Sequence, residues 1–199
     1  VVPVRNLVID EASQIFVGDF AHLFYRLAVD LKKVCWFGDP FQLPPYGADH
    51  SEGLATVFDL PHLKENMHFL RTTYRVPFAL NQFLSDEVYK GNLHSRFKPD
   101  RSTNVLKFVH VDGEESGVGT SWQNKAEADA IVSLVAKYYH SRDYVILTPY
   151  DAQRAYIDQK LRQHNTNWKG RVFNVDSFQG NEADYVLVSL TRTSRPGFL

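Results

Sequence analysis

Three places in this 199-residue chain set acids or amides directly after an apolar run. Leu7-Val-Ile is followed by Asp10-Glu11, and Val34-Cys-Trp-Phe by Gly38-Asp39. The third, Asn174-Val-Asp-Ser-Phe-Gln-Gly-Asn-Glu-Ala-Asp184, is a polar, glycine-hinged stretch that runs into apolar Tyr185-Val-Leu-Val-Ser-Leu190. A carboxylate at the end of a strand can hold Mg2+ while its neighbour polarises a water, a division of labour suited to nucleotide hydrolysis. Apolar strands also end in acids simply because the chain is returning to solvent, so Asp10-Glu11 alone is a weak signal. Gly38-Asp-Pro-Phe-Gln-Leu-Pro-Pro45 adds a second acid and an amide, Gln42, one helix further on. If the two strands are neighbours, both sets of groups face one crevice at the strands' carboxyl ends.

The elements that must position these groups can be read from periodicity. Leu7–Ile9 and Lys33–Phe37 have the composition of strands, and Leu23, Phe24, Leu27 and Leu31 between them have helical spacing over 21–31. A β-α-β run of this length predicts parallel strands joined by a crossover helix. A helix is expected from Pro77, with Leu80, Phe83, Leu84 and Val88 on one face and Gly91 able to end it. Residues 92–101 read as loop, Val105–Val111 as a strand and 112–120 as an exposed connection. Asn124 with Glu127 has capping-box spacing and predicts a helix whose apolar face is Ala128, Ile131, Val132, Val135 and Tyr138. Strands are expected at Tyr144–Thr148, Arg171–Val175 and Tyr185–Thr191, with a helix at Ala152–Gln163. The alternation predicts an α/β fold with a mostly parallel sheet.

The composition is that of an ordinary globular chain: 44% hydrophobic, 23% charged, with a formal net charge of −1. There is no overall basic footprint, which disfavours a simple nucleic-acid coat but leaves room for a narrow basic groove. Cys35 is the only cysteine, so neither an internal disulfide nor a cysteine cluster can form, as suits a reducing, intracellular setting. No apolar run approaches the length of a membrane span. The start, Val1-Val-Pro-Val-Arg5, has neither an initiator methionine nor a leader pattern, and leads at once into a strand expected to be buried; the expectation is a piece of something longer.

Five segments occur in the order seen in superfamily 1 helicases: Asp10-Glu-Ala-Ser-Gln14, Gly38-Asp-Pro-Phe-Gln-Leu-Pro-Pro45, Thr73-Tyr-Arg75, Thr148-Pro-Tyr-Asp-Ala-Gln153 and Val175-Asp-Ser-Phe-Gln-Gly-Asn-Glu182. Together they resemble most the group containing the nonsense-mediated-decay helicase and senataxin, and the resemblance spans nearly the whole chain. It implies a RecA-like P-loop NTPase fold of three layers, α/β/α, with residues 1–60 ending a first RecA-like domain and 61–199 forming most of a second. It also implies ATP and Mg2+ as cofactors, bound where two such domains meet, and single-stranded RNA or DNA as partner.

Residue by residue, the resemblance makes Asp10 the Mg2+ ligand, Glu11 the base or water-orienting group and Gln42 the γ-phosphate sensor. Tyr74 would stack on the nucleotide base, and Arg75 would reach the γ-phosphate with its guanidinium. Glu182 would hydrogen-bond the ribose, with Gly180 permitting close backbone approach. Thr148, Tyr150, Gln153 and Ser177 would meet the single strand. Two positions depart from the pattern: Asn181 stands where many relatives have arginine, and Thr73 where glutamine commonly precedes Tyr-Arg. The phosphate-cradling G-x-x-x-x-G-K-[ST] loop does not occur in the 199 residues, nor does the final arginine motif. The polypeptide alone is therefore expected not to hydrolyse ATP. The alternative is a degenerate helicase fold that binds nucleic acid or protein without turnover.

Overall fold

The computed structural model of the chain describes residues 3–45, 47–48, 56–99, 105–164 and 168–194. The chain divides into two compact units, Val1–Lys107 and Phe108–Leu199.

In the first unit, β1 (Asn6–Ile9) and β2 (Lys33–Trp36) pair in parallel, with Ile9 beside Trp36. The connection between them carries α1 (Ala21–Leu27), shorter than the periodicity to Leu31 suggests because Asp30 and Leu31 turn back onto the Leu27 carbonyl. The strand expected to be buried is half-buried: its residues alternate, and Val8 is 64% exposed. One face packs on a small core of Ala12, Phe20 and Val57, where Phe20 meets Trp36 edge-to-face at 4.9 Å. A short helix, α2 (Pro61–Lys64), follows, with proline in its first turn, where its missing N–H costs nothing.

β3 (Thr72–Thr73) precedes α3 (Phe78–Glu87), which starts after Pro77 as expected but ends before Gly91. The following segment is not all loop: β4 (His94–Ser95) pairs in parallel with β3. The expected strand Val105–Val111 does not form. A strand needs a ladder partner; this stretch finds none among the described residues, and Phe108 is 90% exposed.

The second unit opens with a polar hairpin, β5 (Glu115–Val118) and β6 (Ser121–Asn124), where the sequence suggests only a connection. Gly119 supplies the positive φ of its turn, +61°. Helix α4 (Lys125–Leu134) follows, and its last turns, Val135–Tyr139, widen to a π-helix. That widening rotates the face. Tyr139 packs on the core in place of the expected Tyr138, which stays 54% exposed. β7 (Tyr144–Thr148) is the centre of a parallel sheet, flanked by β8 (Val172–Asn174) and β9 (Tyr185–Val188). Between β7 and β8 lies α5 (Asp151–Gln163), and after β8 a single turn, α6 (Val175–Phe178). β9 stops at Val188, short of Thr191, because Thr191 turns into a left-handed conformation with φ 68°. The core, built on Ile131, Val135, Tyr144, Ile146, Ile157 and Leu161, sits between this sheet and helices α4 and α5.

Candidate functional site

The parallel pairing of β1 with β2 sets their carboxyl ends side by side, and the chain leaves each through a tied turn. Ala12 donates its N–H to the Phe37 carbonyl at 2.8 Å, and Phe37 donates to Ile9 at 2.7 Å. Asp10 is exposed, with Oδ1 accepting the Glu11 N–H at 3.0 Å. Glu11 has φ 52° and ψ 35°, left-handed backbone that costs a non-glycine residue about 1–2 kcal/mol. Its Oε2 accepts from the Gln14 side-chain amide at 3.1 Å. Ser13, 2% exposed, accepts the Asp39 N–H on Oγ at 3.3 Å, so the turn after β1 holds the turn after β2. Gly38 is required for that approach: a Cβ there would lie 2.8 Å from the Phe58 ring and 2.9 Å from the Ser13 nitrogen.

The Asp39 carboxylate gathers the loop. Its Oδ1 accepts the Phe41 N–H at 3.0 Å; its Oδ2 accepts the Gln42 side-chain amide at 3.1 Å and the Tyr89 hydroxyl at 2.5 Å. Burial, and then the Asp39 carboxylate, hold the Tyr89 phenol well above its ordinary pKa, so it remains a donor. Tyr74 is 70% exposed, its ring open for stacking. Arg75 is exposed as well, and its backbone N–H reaches the Thr73 hydroxyl at 3.5 Å.

In the second unit the expected residues part company. Thr148, Tyr150 and Gln153 are 0%, 4% and 0% exposed, so the structure turns inward three side chains expected to meet a strand. Gln153 Oε1 accepts the Asn124 N–H at 2.8 Å, and its Nε2 donates to the Asn124 carbonyl and the Ser189 hydroxyl, both at 2.9 Å. Thr148 Oγ1 lies 3.3 Å from Thr191 Oγ1. The capping box is half formed: Asn124 Oδ1 accepts the Glu127 N–H at 3.1 Å. The Glu127 carboxylate instead takes the Ser189 hydroxyl at 2.6 Å and the Thr191 N–H at 2.9 Å. Beside this network Glu115 holds the chain after β9. It accepts from Arg192 Nε at 3.0 Å, the Ser194 hydroxyl at 2.6 Å and the Thr193 N–H, while Arg192 stacks on Trp122 at 4.0 Å.

The glycine-hinged loop remains at the surface. Ser177 is exposed and donates to the Asn174 carbonyl at 2.9 Å; Glu182 is exposed. Gly180 has φ +81° with open space where a Cβ would project, so the turn itself is what demands glycine. Asn181 uses its side-chain amide on the Phe178 and Gln179 carbonyls, stapling the turn where a cation is common.

The structure thus sets Asp10 and Glu11 after β1 and Gln42 in the loop after β2, two exits tied through Ser13 and Asp39, and places Tyr74 and Arg75 at the entry to α3. Asp39 is expected as a second acid but not as the group that gathers the loop, and Ser13, Tyr89 and the Glu127 contacts with Ser189 and Thr191 go beyond the expectations. Ser13 and Asp39 lie inside the motifs at the strand ends; Tyr89 carries no local signal, being 50 residues from its partner.

The family model AAA_12, described as an AAA domain, matches residues 54–199. The chain is 30% identical over 218 residues to ATP-dependent helicase upf1 of Schizosaccharomyces pombe, covering 96% of this chain and 23% of that protein. It is 32% identical over 214 residues to 5'-3' DNA helicase ZGRF1 of Mus musculus, covering 97% and 11%. ATP-dependent helicase NAM7 of Saccharomyces cerevisiae is 28% identical over 231 residues, covering 98% and 23%. The chain therefore spans at most about a quarter of the length of these relatives. With most of its length matched and five ordered motifs in place, the chain belongs to the AAA_12 family, within the superfamily 1 helicases of the nonsense-mediated-decay type, and has their α/β, RecA-like P-loop architecture.

Proposed function

We propose that the whole protein carrying this chain hydrolyses ATP and couples hydrolysis to movement along single-stranded RNA or DNA. The observation that carries the reading is the parallel pairing of β1 with β2, which puts Asp10-Glu11 and the loop of Gln42 at neighbouring carboxyl ends, tied through Ser13 and Asp39. Asp10 fits a Mg2+ ligand of the kind that shares the ion with phosphates: one exposed carboxylate, with no cluster of three or more metal-binding side chains among the described residues. When bound there, Mg2+ would neutralise charge on the phosphates. Glu11, half-buried in a left-handed turn, orients the attacking water, Gln42 senses the γ-phosphate, and Arg75 stabilises the developing charge. Tyr74 stacks on the base, and Glu182 takes the ribose beside the Gly180 turn.

The division into a first RecA-like domain ending near residue 60 and a second over 61–199 belongs to the same proposal. So does the assignment of Ser177 to the strand, since its side chain is at the surface. Thr148, Tyr150 and Gln153 support strand contact from below, as positioning residues. Opening and closing around ATP would change the grip on the strand through differential contacts with nucleotide. Among the described residues no helix is long and apolar enough to cross a membrane.

ATP turnover by the full-length protein, with and without single-stranded RNA or DNA, tests this. Expected is metal-dependent hydrolysis that rises with the strand and falls at least about a hundredfold in Glu11→Gln. The present 199 residues alone are expected to show none. One observation favours a second reading, binding without turnover: Asn181 offers no cation and uses its amide on its own turn. Strand binding by the full-length protein with no hydrolysis would establish that reading instead.

A further inference from the structure

Tyr89 lies outside every segment that carries the family resemblance, yet it makes a short contact to the loop that holds Gln42. Its hydroxyl donates to Asp39 Oδ2 at 2.5 Å, and the same oxygen accepts the Gln42 side-chain amide at 3.1 Å. The other oxygen, Oδ1, takes the Phe41 N–H, and the Asp39 N–H is fixed by Ser13, two residues after Glu11. Tyr89 follows the last turn of α3, its own N–H bonded to the Leu84 carbonyl at 3.1 Å, and α3 begins three residues after Arg75. The ring packs between Phe41, at 5.5 Å, and Phe69, at 5.8 Å. Packing alone would be satisfied by phenylalanine; the hydroxyl is needed only for the carboxylate. A carboxylate that accepts from a half-buried phenol has one of its oxygens oriented, which restricts where the Gln42 amide can find the same acceptor.

We propose that Tyr89 is a positioning residue for ATP hydrolysis: through Asp39 it sets the orientation of Gln42 and ties that side chain to the helix that follows Tyr74-Arg75. The inference rests on the reading of Gln42 as the γ-phosphate sensor. A helix displaced at Arg75 would then be felt at Gln42 through one side chain.

The test is steady-state ATP hydrolysis by the full-length protein in four forms: unmutated, Tyr89→Phe, Gln42→Ala and the double variant. Tyr89→Phe is expected to lower kcat about tenfold, the scale of one charge-assisted hydrogen bond, with KM for ATP held within about twofold. In the Gln42→Ala background the same substitution is expected to change kcat by less than about twofold, because the side chain it acts through is gone. Asp39→Asn, which weakens the shared acceptor, is expected to reproduce the kcat loss and serves if Tyr89→Phe does not fold. Unchanged kcat in Tyr89→Phe, or a full tenfold loss again in the double variant, would overturn the inference while leaving the hydrolytic reading intact. No hydrolysis by the unmutated protein would overturn both, and is seen in that control alone.

Discussion

The turn after β1 and the junction of β7 with β9 both gather polar side chains at strand ends, but they use them in opposite ways. Around Glu11 the groups are exposed or half-exposed, the backbone is left-handed at a non-glycine residue, and the contacts are local ones, to Asp10 and Gln14. Around Gln153 every donor and acceptor named is satisfied inside the protein, by Asn124, Ser189, Thr191 and Glu127. The first arrangement leaves polar groups accessible at the cost of strain. The second gives up surface for rigidity, and the loop beyond it, Asn174 to Asp184, keeps polar groups at the surface. Similar residue types at similar strand ends therefore do not imply similar roles; burial decides between them.

The largest expected effect is in the buried network. Gln153→Leu leaves the Asn124 N–H and carbonyl and the Ser189 hydroxyl without their shared partner, and is expected to cost about 2–4 kcal/mol. Urea unfolding of the chain in a Trp36→Phe background would measure it, since the remaining tryptophans, Trp122 and Trp168, both lie in the second unit. A loss under about 0.5 kcal/mol would mean the network is not the rigid element it is taken to be. Next is Gly38→Ala, where the new methyl meets the Phe58 ring and the Ser13 backbone. About 1–3 kcal/mol is expected, read from Trp36 fluorescence, because the Ser13 nitrogen is backbone and cannot swing aside.

The same contrast explains what was legible in the sequence. Strands β1, β2 and β7 and helix α5 were readable because apolar periodicity follows from burial of one face or both. The positions of Glu11 and Gln42 after two paired strands follow from local sequence, because the strands that precede them are legible. The buried network was not, because Thr148 and Gln153 find partners at Asn124, Ser189 and Thr191, far away in the chain. The hairpin β5–β6 was missed because its stability comes from Glu115 and Trp122 gripping Arg192 and its neighbours, not from alternating apolar residues. Val105–Val111 has strand composition with no ladder, and the Tyr138 placement failed on a single widened turn, which periodicity at 3.6 residues cannot foresee.

A smaller effect should appear as a pH slope. Ser194, then Arg192 and the Thr193 amide, pull the Glu115 carboxyl down to about 2 from its ordinary 4.5. A folded-state pKa below the unfolded one gives stability that is full above 4.5 and lost as pH falls toward 2, because the unfolded chain then binds more protons. Unfolding of the second unit followed between those values should steepen with acid in the unmutated chain and flatten in Glu115→Gln. An unchanged slope would remove Glu115 from the set of groups that fix the chain after β9.

The smallest and most pointed prediction concerns Glu11 itself. Its φ of 52° is unfavourable for a side-chain-bearing residue and natural for glycine, whereas its side-chain hydrogen bond with Gln14 is a local, half-buried contact three residues away. Glu11→Gly should therefore relieve about 1 kcal/mol of strain, offset in part by the freer unfolded chain, and leave the first unit equally or slightly more stable. The same substitution removes the carboxylate on which hydrolysis is proposed to depend. Stability held or raised while ATP turnover by the full-length protein disappears would show that the left-handed turn exists to present that carboxylate. A loss of more than about 1 kcal/mol would show instead that Glu11 is a structural group, and the contrast with the Gln153 network would collapse.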